Sequence, residues 1–284
     1  MTTIWLDGAW LDREHATISV FDHGLLYGDG VFEGMRAYGG KIFRLEQHLD
    51  RLYDSAHAVW LEIPMSKADM KAMTLEAVER SGLEDSYLRH IVTRGRGDLG
   101  LDPRKCPRPT VLLIVDTIRM WPEETYQRGL RVVTAGTPMP QREALSPRVK
   151  SLNYLPHILA KIEAIQAGAD EALMLDSGGY VTEGTGENIF IIKHGVLRTP
   201  PAWAGILRGV TRDAVMELAR EAGLTVQEEP FNRYDVYTAD EAFFSGTAAE
   251  IAPIGEVDGR KIGSGHMGPI TADIRTRFRQ LVRR

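Results

Sequence analysis

The sequence has one cysteine, Cys106, so no internal disulfide can form, which fits a reducing, cytoplasmic setting. No apolar run is long enough to span a membrane. The opening stretch, MTTIWLDGAWLDREHA, is too acidic and too broken by polar residues for a signal peptide. No long basic run occurs: 34 Lys and Arg are mixed among 39 Asp and Glu, for a net charge of -5. Nucleic acid and anionic membranes therefore have no electrostatic support as partners. The histidines do not cluster at zinc spacing and there is no His-Glu-x-x-His, so no metal centre is expected. YVTEGTGENIF is neither a P-loop nor a G-x-G-x-x-G fingerprint, and the chain has no G-x-S-x-G elbow. What remains is a chain of 284 residues, 43% apolar and 26% charged, which is the balance of a soluble globular protein of one large or two ordinary domains.

Strands and helices do not alternate regularly, so a doubly wound sheet is disfavoured and an α+β fold, mixed α and β, is expected. TIWLDGAWL reads as a hairpin turning at Asp7-Gly8, and GVFEGMRAYGGKIFRL as a second turning at Gly39-Gly40. Leu45, Leu49, Leu52 and Ala56 share a helix face. A second helix is capped by Ser66 and stopped by Gly82. SYLRHIVTR and the fully apolar TVLLIVD read as strands, the latter central. TIRMWPEETYQRG has no steady period and reads as a crossing between domains. A helix from about Asn153 to Gly168 is expected to bury Leu155, Ile158, Leu159, Ile162 and Ile165. Pro156 falls in its first turn.

Five places could carry chemistry. Lys150 stands just before that helix start, at an end that repels cations. An amine against an apolar wall loses hydration and can become a nucleophile towards carbonyls; an ordinary loop lysine is the plainer alternative. In YVTEGTGENIF two carboxylates, Glu183 and Glu187, flank glycines that let the backbone be approached closely. A carboxylate there could pair with a cationic ring nitrogen, or the stretch could be a polar turn. Gly209-Val210-Thr211 opens an amphipathic helix whose N–H groups suit an anion, or Thr211 could be a simple cap. Gly246-Thr247-Ala248 could offer backbone donors or form a bulge. Arg51 could hold a phosphate, or pair with Asp54 or Asp50 on the helix surface.

In their order, KSLNYL, TEGTGENIF, GVTRDA and SGTAAEI resemble the class IV aminotransferases, which use pyridoxal 5'-phosphate. The resemblance runs over nearly the whole chain. YGDGVFEGMRAYGGKIFRLEQHLDRL is similar to the family's N-terminal domain and DGRKIGSGHMGPIT to its C-terminal end. Within the family the chain looks most like the branched-chain amino acid aminotransferases. The resemblance implies a two-domain, fold-type IV enzyme that forms a homodimer or higher homo-oligomer. A small α/β domain would span 1–120, an interdomain loop 121–130, and a large pseudo-barrel domain 131–284, carrying the lysine that binds the cofactor.

By the same resemblance Lys150 is the Schiff-base lysine, Glu183 holds the pyridine nitrogen and Tyr154 approaches the phenolic oxygen. Arg51, Val210, Thr211 and Thr247 bind the phosphate. Phe32, Tyr87 and Tyr27 of the partner subunit form an apolar wall. Arg89 takes the side-chain carboxylate of glutamate, and Tyr87 with the backbone at Thr247-Ala248 takes the α-carboxylate. The substrates would be L-leucine, L-isoleucine or L-valine with 2-oxoglutarate. VTRGRG with Arg94, and the spacing of KSLNY, are shared with D-amino acid aminotransferases and aminodeoxychorismate lyases; YLR, GENIF and SGTAAE favour the branched-chain group. A non-catalytic small-molecule-binding protein is the remaining alternative.

Overall fold

The computed structural model describes residues 2–284. Internal contacts divide the chain into two compact units, Met1–Ile118 with Val149–Asn153, and Arg119–Arg148 with Tyr154–Arg284. This differs from the expected division in one respect that matters: Lys150 belongs with the first unit and not with 131–284.

The first unit contains β1 (Thr3–Leu6), β2 (Ala9–Leu11), α1 (His23–Tyr27), β3 (Gly30–Tyr38), β4 (Lys41–Ile42), α2 (Leu45–Ala58), α3 (Lys67–Ser81), β5 (Ser86–Thr93) and β6 (Thr110–Asp116). Its strands form one antiparallel sheet in the order β2-β1-β6-β5-β3-β4. The first hairpin turns at Asp7 and Gly8, both at positive φ, as the sequence predicts. Alternation along β3 sends Val31, Glu33, Met35 and Ala37 to one face and Phe32, Gly34 and Arg36 to the other. The first face joins Leu49, Leu52 and Ala56 of α2 and Met70 and Ala77 of α3 in a single core. The Ser66 hydroxyl caps α3 by accepting from the Asp69 N–H, and Gly82 ends the helix in a left-handed conformation.

The second unit contains α4 (Glu123–Arg128), β7 (Leu130–Thr134), α5 (Leu155–Gln166), β8 (Glu171–Leu175), β9 (Val181–Gly184), β10 (Asn188–Lys193), β11 (Val196–Thr199), α6 (Val210–Glu221), β12 (Thr225–Glu228), α7 (Arg233–Tyr237), β13 (Glu241–Gly246), β14 (Glu250–Val257), β15 (Arg260–Lys261) and α8 (Pro269–Leu281). The stretch expected as an interdomain loop, 121–130, thus holds a short helix and the start of a strand. Strands β10-β13-β14-β7-β8-β9 follow one another by hydrogen bonding, and β9 pairs back with β10, closing a barrel-like ring. That last pairing is a single residue pair, Asn188 opposite Glu183. β11 and β12 extend from the remaining edge of β10. The ring is lined by a contiguous core that includes Leu130, Leu173, Val181, Ile189, Phe244, Ala252 and Ile254.

The structure overturns one packing expectation. Along α5 the residues buried are Ala160 and Ala164, while Leu155, Ile158, Leu159, Ile162 and Ile165 are all exposed in the single chain. The helix lies with its small residues against β7 and β8 and turns its large apolar side chains outward. The apolar period marked a real face, but not the face that packs on this chain's own sheet.

Candidate active site

Lys150 is held by main-chain bonds on both sides. Its carbonyl accepts from the Phe32 N–H at 2.9 Å, and its N–H donates to the Ser55 hydroxyl on α2 at 3.2 Å. Ser151 bridges to Val31, and the Leu152 N–H donates to the Gly30 carbonyl. The lysine segment therefore runs as a short extra strand along β3. Its Nζ lies 4.6 Å from the centre of the Phe32 ring, the apolar wall that the local sequence only suggested.

The same sheet face carries the expected carboxylate-binding pair. In the β3–β5 register Gly34 lies opposite Arg89 and Arg36 opposite Tyr87, so Phe32, Gly34, Tyr87 and Arg89 share one surface. The Arg89 guanidinium sits 4.6 Å from the Phe32 ring centre and donates to the Tyr87 hydroxyl at 2.9 Å. The Tyr87 hydroxyl reaches across β3 at Gly34, where a Cβ would lie 2.2 Å from it. Only glycine leaves that path open.

Arg51, for which the surface alternative offered Asp54 or Asp50, pairs with a buried carboxylate. Its Nε and Nη2 donate to the two oxygens of Glu33 at 2.6 and 2.8 Å. Glu33 is fully buried on the core face of β3 and also accepts from His48 Nδ1 at 2.8 Å. Burial alone would raise the Glu33 pKa, but the Arg51 guanidinium and His48 hold it well below the carboxylate range. Burial, working against the Glu33 charge, lowers the pKa of His48. Arg51 and Ser55 are one turn apart on α2, so the phosphate candidate and the anchor of the Lys150 backbone lie on one helix face.

Tyr27 and Arg94 lie apart from this surface. Tyr27 ends α1 and its hydroxyl accepts from the Gly100 N–H at 3.0 Å. Arg94 donates to both oxygens of Asp29 and to the carbonyls of Val59 and Trp60. Its guanidinium is spent on holding the first unit together.

In the second unit the two carboxylates of TEGTGENIF are separated by their surroundings. Glu183 Oε2 accepts from Asn188 Nδ2 at 3.0 Å and from the Leu207 N–H at 3.1 Å. Glu187 is buried beneath the turn, accepts from the Gly186 N–H, and fills the space beside Gly246, where a Cβ would come 3.2 Å from its Cγ. Its pKa is pushed up to about 8, first by burial and then by the charge of Glu171. Glu171 is itself paired with Lys161 at 2.7 Å and accepts from the Thr185 hydroxyl at 2.6 Å.

Helix α6 begins after Gly209 with no side-chain cap, so Thr211 is not the cap that the plainer reading made it. Val210 and Thr211 are both buried in its first turn. Thr247 and Ala248 lie in the tight turn joining β13 to β14, where the two strands pair through Gly246 and Glu250. This is a hairpin turn and not a bulge within one strand. Tyr154 precedes α5 and stacks on His157 with ring centres 4.5 Å apart.

Sequence reasoning missed Glu33, His48, Ser55 and Asn188. Two of these left a trace. Glu33 is a carboxylate on the otherwise apolar Val31, Met35, Ala37 face, and His48 lies at helical spacing with Arg51 along the buried stripe of α2. A charge forced into an apolar face calls for a partner of opposite sign at matching spacing. Nothing local marks Ser55, whose partner Lys150 comes from a distant segment, and Asn188 was passed over although Glu183 lies in the same TEGTGENIF stretch.

The family model for amino-transferase class IV matches residues 30–257. A putative branched-chain-amino-acid aminotransferase of Methanocaldococcus jannaschii is 51% identical over 98% of this chain and 96% of that protein. The branched-chain-amino-acid aminotransferase of Pseudomonas aeruginosa is 45% identical over 98% and 92%. Among solved structures, the Escherichia coli branched-chain amino acid aminotransferase superposes with a TM-score of 0.95 at 34% identity, covering 99% of this chain and 94% of that one. The Thermobaculum terrenum branched-chain amino acid aminotransferase, in its PLP-bound holo form, gives a TM-score of 0.88 at 31% identity, again with 99% and 94% covered. Fold and sequence agree along almost the full length, and the chain belongs to the class IV aminotransferases.

Proposed function

We propose that this chain is a pyridoxal 5'-phosphate-dependent branched-chain-amino-acid aminotransferase, moving an amino group between L-leucine, L-isoleucine or L-valine and 2-oxoglutarate. The observation that carries the reading is the shared surface of Lys150, Phe32, Tyr87 and Arg89. An amine, an apolar wall and a cation bonded to a tyrosine hydroxyl stand together there. One half-reaction needs a surface for an aliphatic side chain and the other needs a cation for the side-chain carboxylate of glutamate. This face offers both.

The residues present fit the cofactor. An α6 N-terminus without a side-chain cap suits a phosphate. The Glu183 carboxylate, which accepts two hydrogen bonds on one oxygen, suits a cationic ring nitrogen. When bound, pyridoxal 5'-phosphate supplies an electron sink for the pair left behind as the substrate loses its α-proton. Lys150 Nζ holds the cofactor and carries that proton. Glu183 would hold the pyridine nitrogen and keep its proton, and Tyr154 would approach the phenolic oxygen. Arg51, Val210, Thr211 and Thr247 take the phosphate, with Arg51 steered by Glu33. Tyr87 and the backbone at Thr247-Ala248 take the α-carboxylate.

The active form in this reading is a homodimer or higher homo-oligomer in which Tyr27 serves the partner's site. The exposed apolar stripe on α5, and the exposed Leu25, Leu99 and Leu101 around Tyr27, support a second copy. No helix among the described residues is long and apolar enough to cross a membrane. A cytoplasmic setting is part of the proposal and rests on the single, unpaired cysteine. The D-amino acid and lyase readings leaned on the spacing of KSLNY and on Arg94, whose donors are engaged within the first unit.

The test is a panel of half-reactions. L-leucine, L-valine, L-glutamate and D-alanine are added separately, and absorption follows conversion of the bound cofactor to its pyridoxamine form. Conversion by the three L-amino acids is expected. Strong conversion by D-alanine with none by L-leucine would overturn the substrate assignment. Borohydride should fix the cofactor to the protein, and Lys150→Ala should abolish that attachment.

A further inference from the structure

We propose that Asn188 is the positioning residue for the ring-nitrogen carboxylate, and that it makes this carboxylate and the start of α6 a single rigid piece. The proposal rests on the reading of Glu183 given above.

Asn188 is fixed by its main chain before its side chain does anything. It is the one residue through which β10 pairs with β9, opposite Glu183, and it also lies opposite Ser245 of β13. Three strands of the ring meet at this position, and it is buried. The side-chain amide has two donors on one nitrogen, and both are used. Nδ2 donates to Glu183 Oε2 at 3.0 Å and to the Leu207 carbonyl at 2.8 Å. The Leu207 N–H returns to Glu183 Oε2 at 3.1 Å, which closes a ring of three hydrogen bonds through both polar groups of Leu207. Since both partners of Nδ2 are pure acceptors, the amide has only one workable orientation.

The other end of the amide meets the start of α6. Gly209 immediately precedes that helix, and a Cβ there would lie 2.1 Å from Asn188 Oδ1. The amide thus fills the space that a side chain at 209 would need. One residue touches the carboxylate, the segment leading into the helix, and the residue before its first turn.

The chemical consequence is specific. Two donors on Oε2 favour the ionised form of Glu183 and fix its plane, and with it the direction from which the ring N–H is met. Aspartate at 188 would have nearly the same shape but would press an acceptor against Oε2 and the Leu207 carbonyl. Glu183 would then take up a proton more readily and no longer support the charge on the ring nitrogen. A protonated aspartic acid can donate, so low pH should partly restore the missing bond.

The experiment compares the wild-type holoenzyme with Asn188→Asp, Glu183→Gln and the double variant, reading half-reaction rates with L-leucine against pH and the dissociation constant for pyridoxal 5'-phosphate. Asn188→Asp is expected to slow the half-reaction about 10- to 100-fold at neutral pH, the worth of one hydrogen bond to a charged group. The deficit should narrow as pH falls, and the cofactor should bind about tenfold more weakly. The double variant should be no slower than Glu183→Gln alone, because Asn188 acts through Glu183. Gly209→Ala, which displaces the amide without changing it, should show the same non-additivity; it is the measure to use if Asn188→Asp does not fold. Wild-type rate and cofactor binding in Asn188→Asp, or losses that add in full to those of Glu183→Gln, would overturn the proposal while leaving the reading of Glu183 intact. A silent Glu183→Gln, or a wild-type chain that takes up no cofactor, would overturn both.

Discussion

At the scale of single residues the second unit keeps two neighbouring carboxylates in different surroundings. Glu183 has two donors on one oxygen. Glu187, four residues on, is buried near Glu171, Lys161 and Glu183, and its pKa is pushed up to about 8 from an ordinary 4.5. The unfolded chain gives up that proton above its ordinary pKa, whereas the folded chain keeps it to about 8. The stability linked to the proton is therefore complete in acid and is lost as pH rises through the folded pKa. Glu187→Gln keeps the shape and removes the titration. It should raise stability relative to wild type at about pH 9 by on the order of a few kcal/mol and much less at about pH 5. Urea unfolding at the two pH values measures this, and an equal effect at both would show that burial of the proton is not what shifts the group. The sequence named both glutamates as candidates. What tells them apart is Leu207 and the β9–β10 pairing that sets Asn188 opposite Glu183 on one side, and Glu171 on the other.

At the scale of elements, β3 has one face in the core and one that carries the proposed substrate surface. Period-two alternation placed Val31, Met35 and Ala37 in the core and Phe32 on the other face, and that much could be read from the string VFEGMRAY. Gly34 could not be. It is glycine because the Tyr87 hydroxyl passes within 2.2 Å of where its Cβ would be, and Tyr87 is 53 residues further along the chain. Gly34→Ala should push the ring aside and separate Tyr87 from Arg89. A roughly 10- to 100-fold loss in kcat/KM is expected for L-glutamate, as for other small misplacements of a positioned group. The melting temperature should barely change, since the core face is untouched. Comparable losses of kcat/KM and of stability would mean that Gly34 serves the fold and not the substrate surface. The short helix α4 was missed for a related reason. Six residues give too few turns for a period to register, and Trp121 and Tyr126 hold the segment by packing on the core of the second unit.

At the scale of the whole molecule, the apolar stripe on α5 is the clearest case of a pattern read rightly and assigned wrongly. Periodicity shows that a helix has an apolar face, but not whose surface that face will meet. Here the small Ala160 and Ala164 pack inward, and Leu155, Ile158, Ile162 and Ile165 point away from their own chain. Ile158→Asp with Ile162→Asp should shift sedimentation towards the monomer and cut activity, with the far-ultraviolet circular dichroism of the fold retained. Unchanged sedimentation would remove α5 from the assembly interface. By contrast, the four segments that carry the family resemblance were legible because each is a run of adjacent residues suited to one part of one cofactor. The supports behind them, Ser55, Glu33 and Asn188, lie outside those runs or carry no local signal.

The segment Val149–Asn153 has a consequence for how the protein is made. It lies 30 residues beyond the end of the first stretch of its own unit, yet it supplies the neighbour that β3 needs at Gly30–Phe32. On the ribosome the first 118 residues can form their sheet and core early, but the edge of β3 stays open until the chain has been extended past Asn153 and that stretch has emerged. Lys150 is therefore delivered to its Phe32 wall only after the wall has been built. A fragment ending at Ile118 would be left with a bare strand edge, the kind of surface on which nascent chains stick to one another.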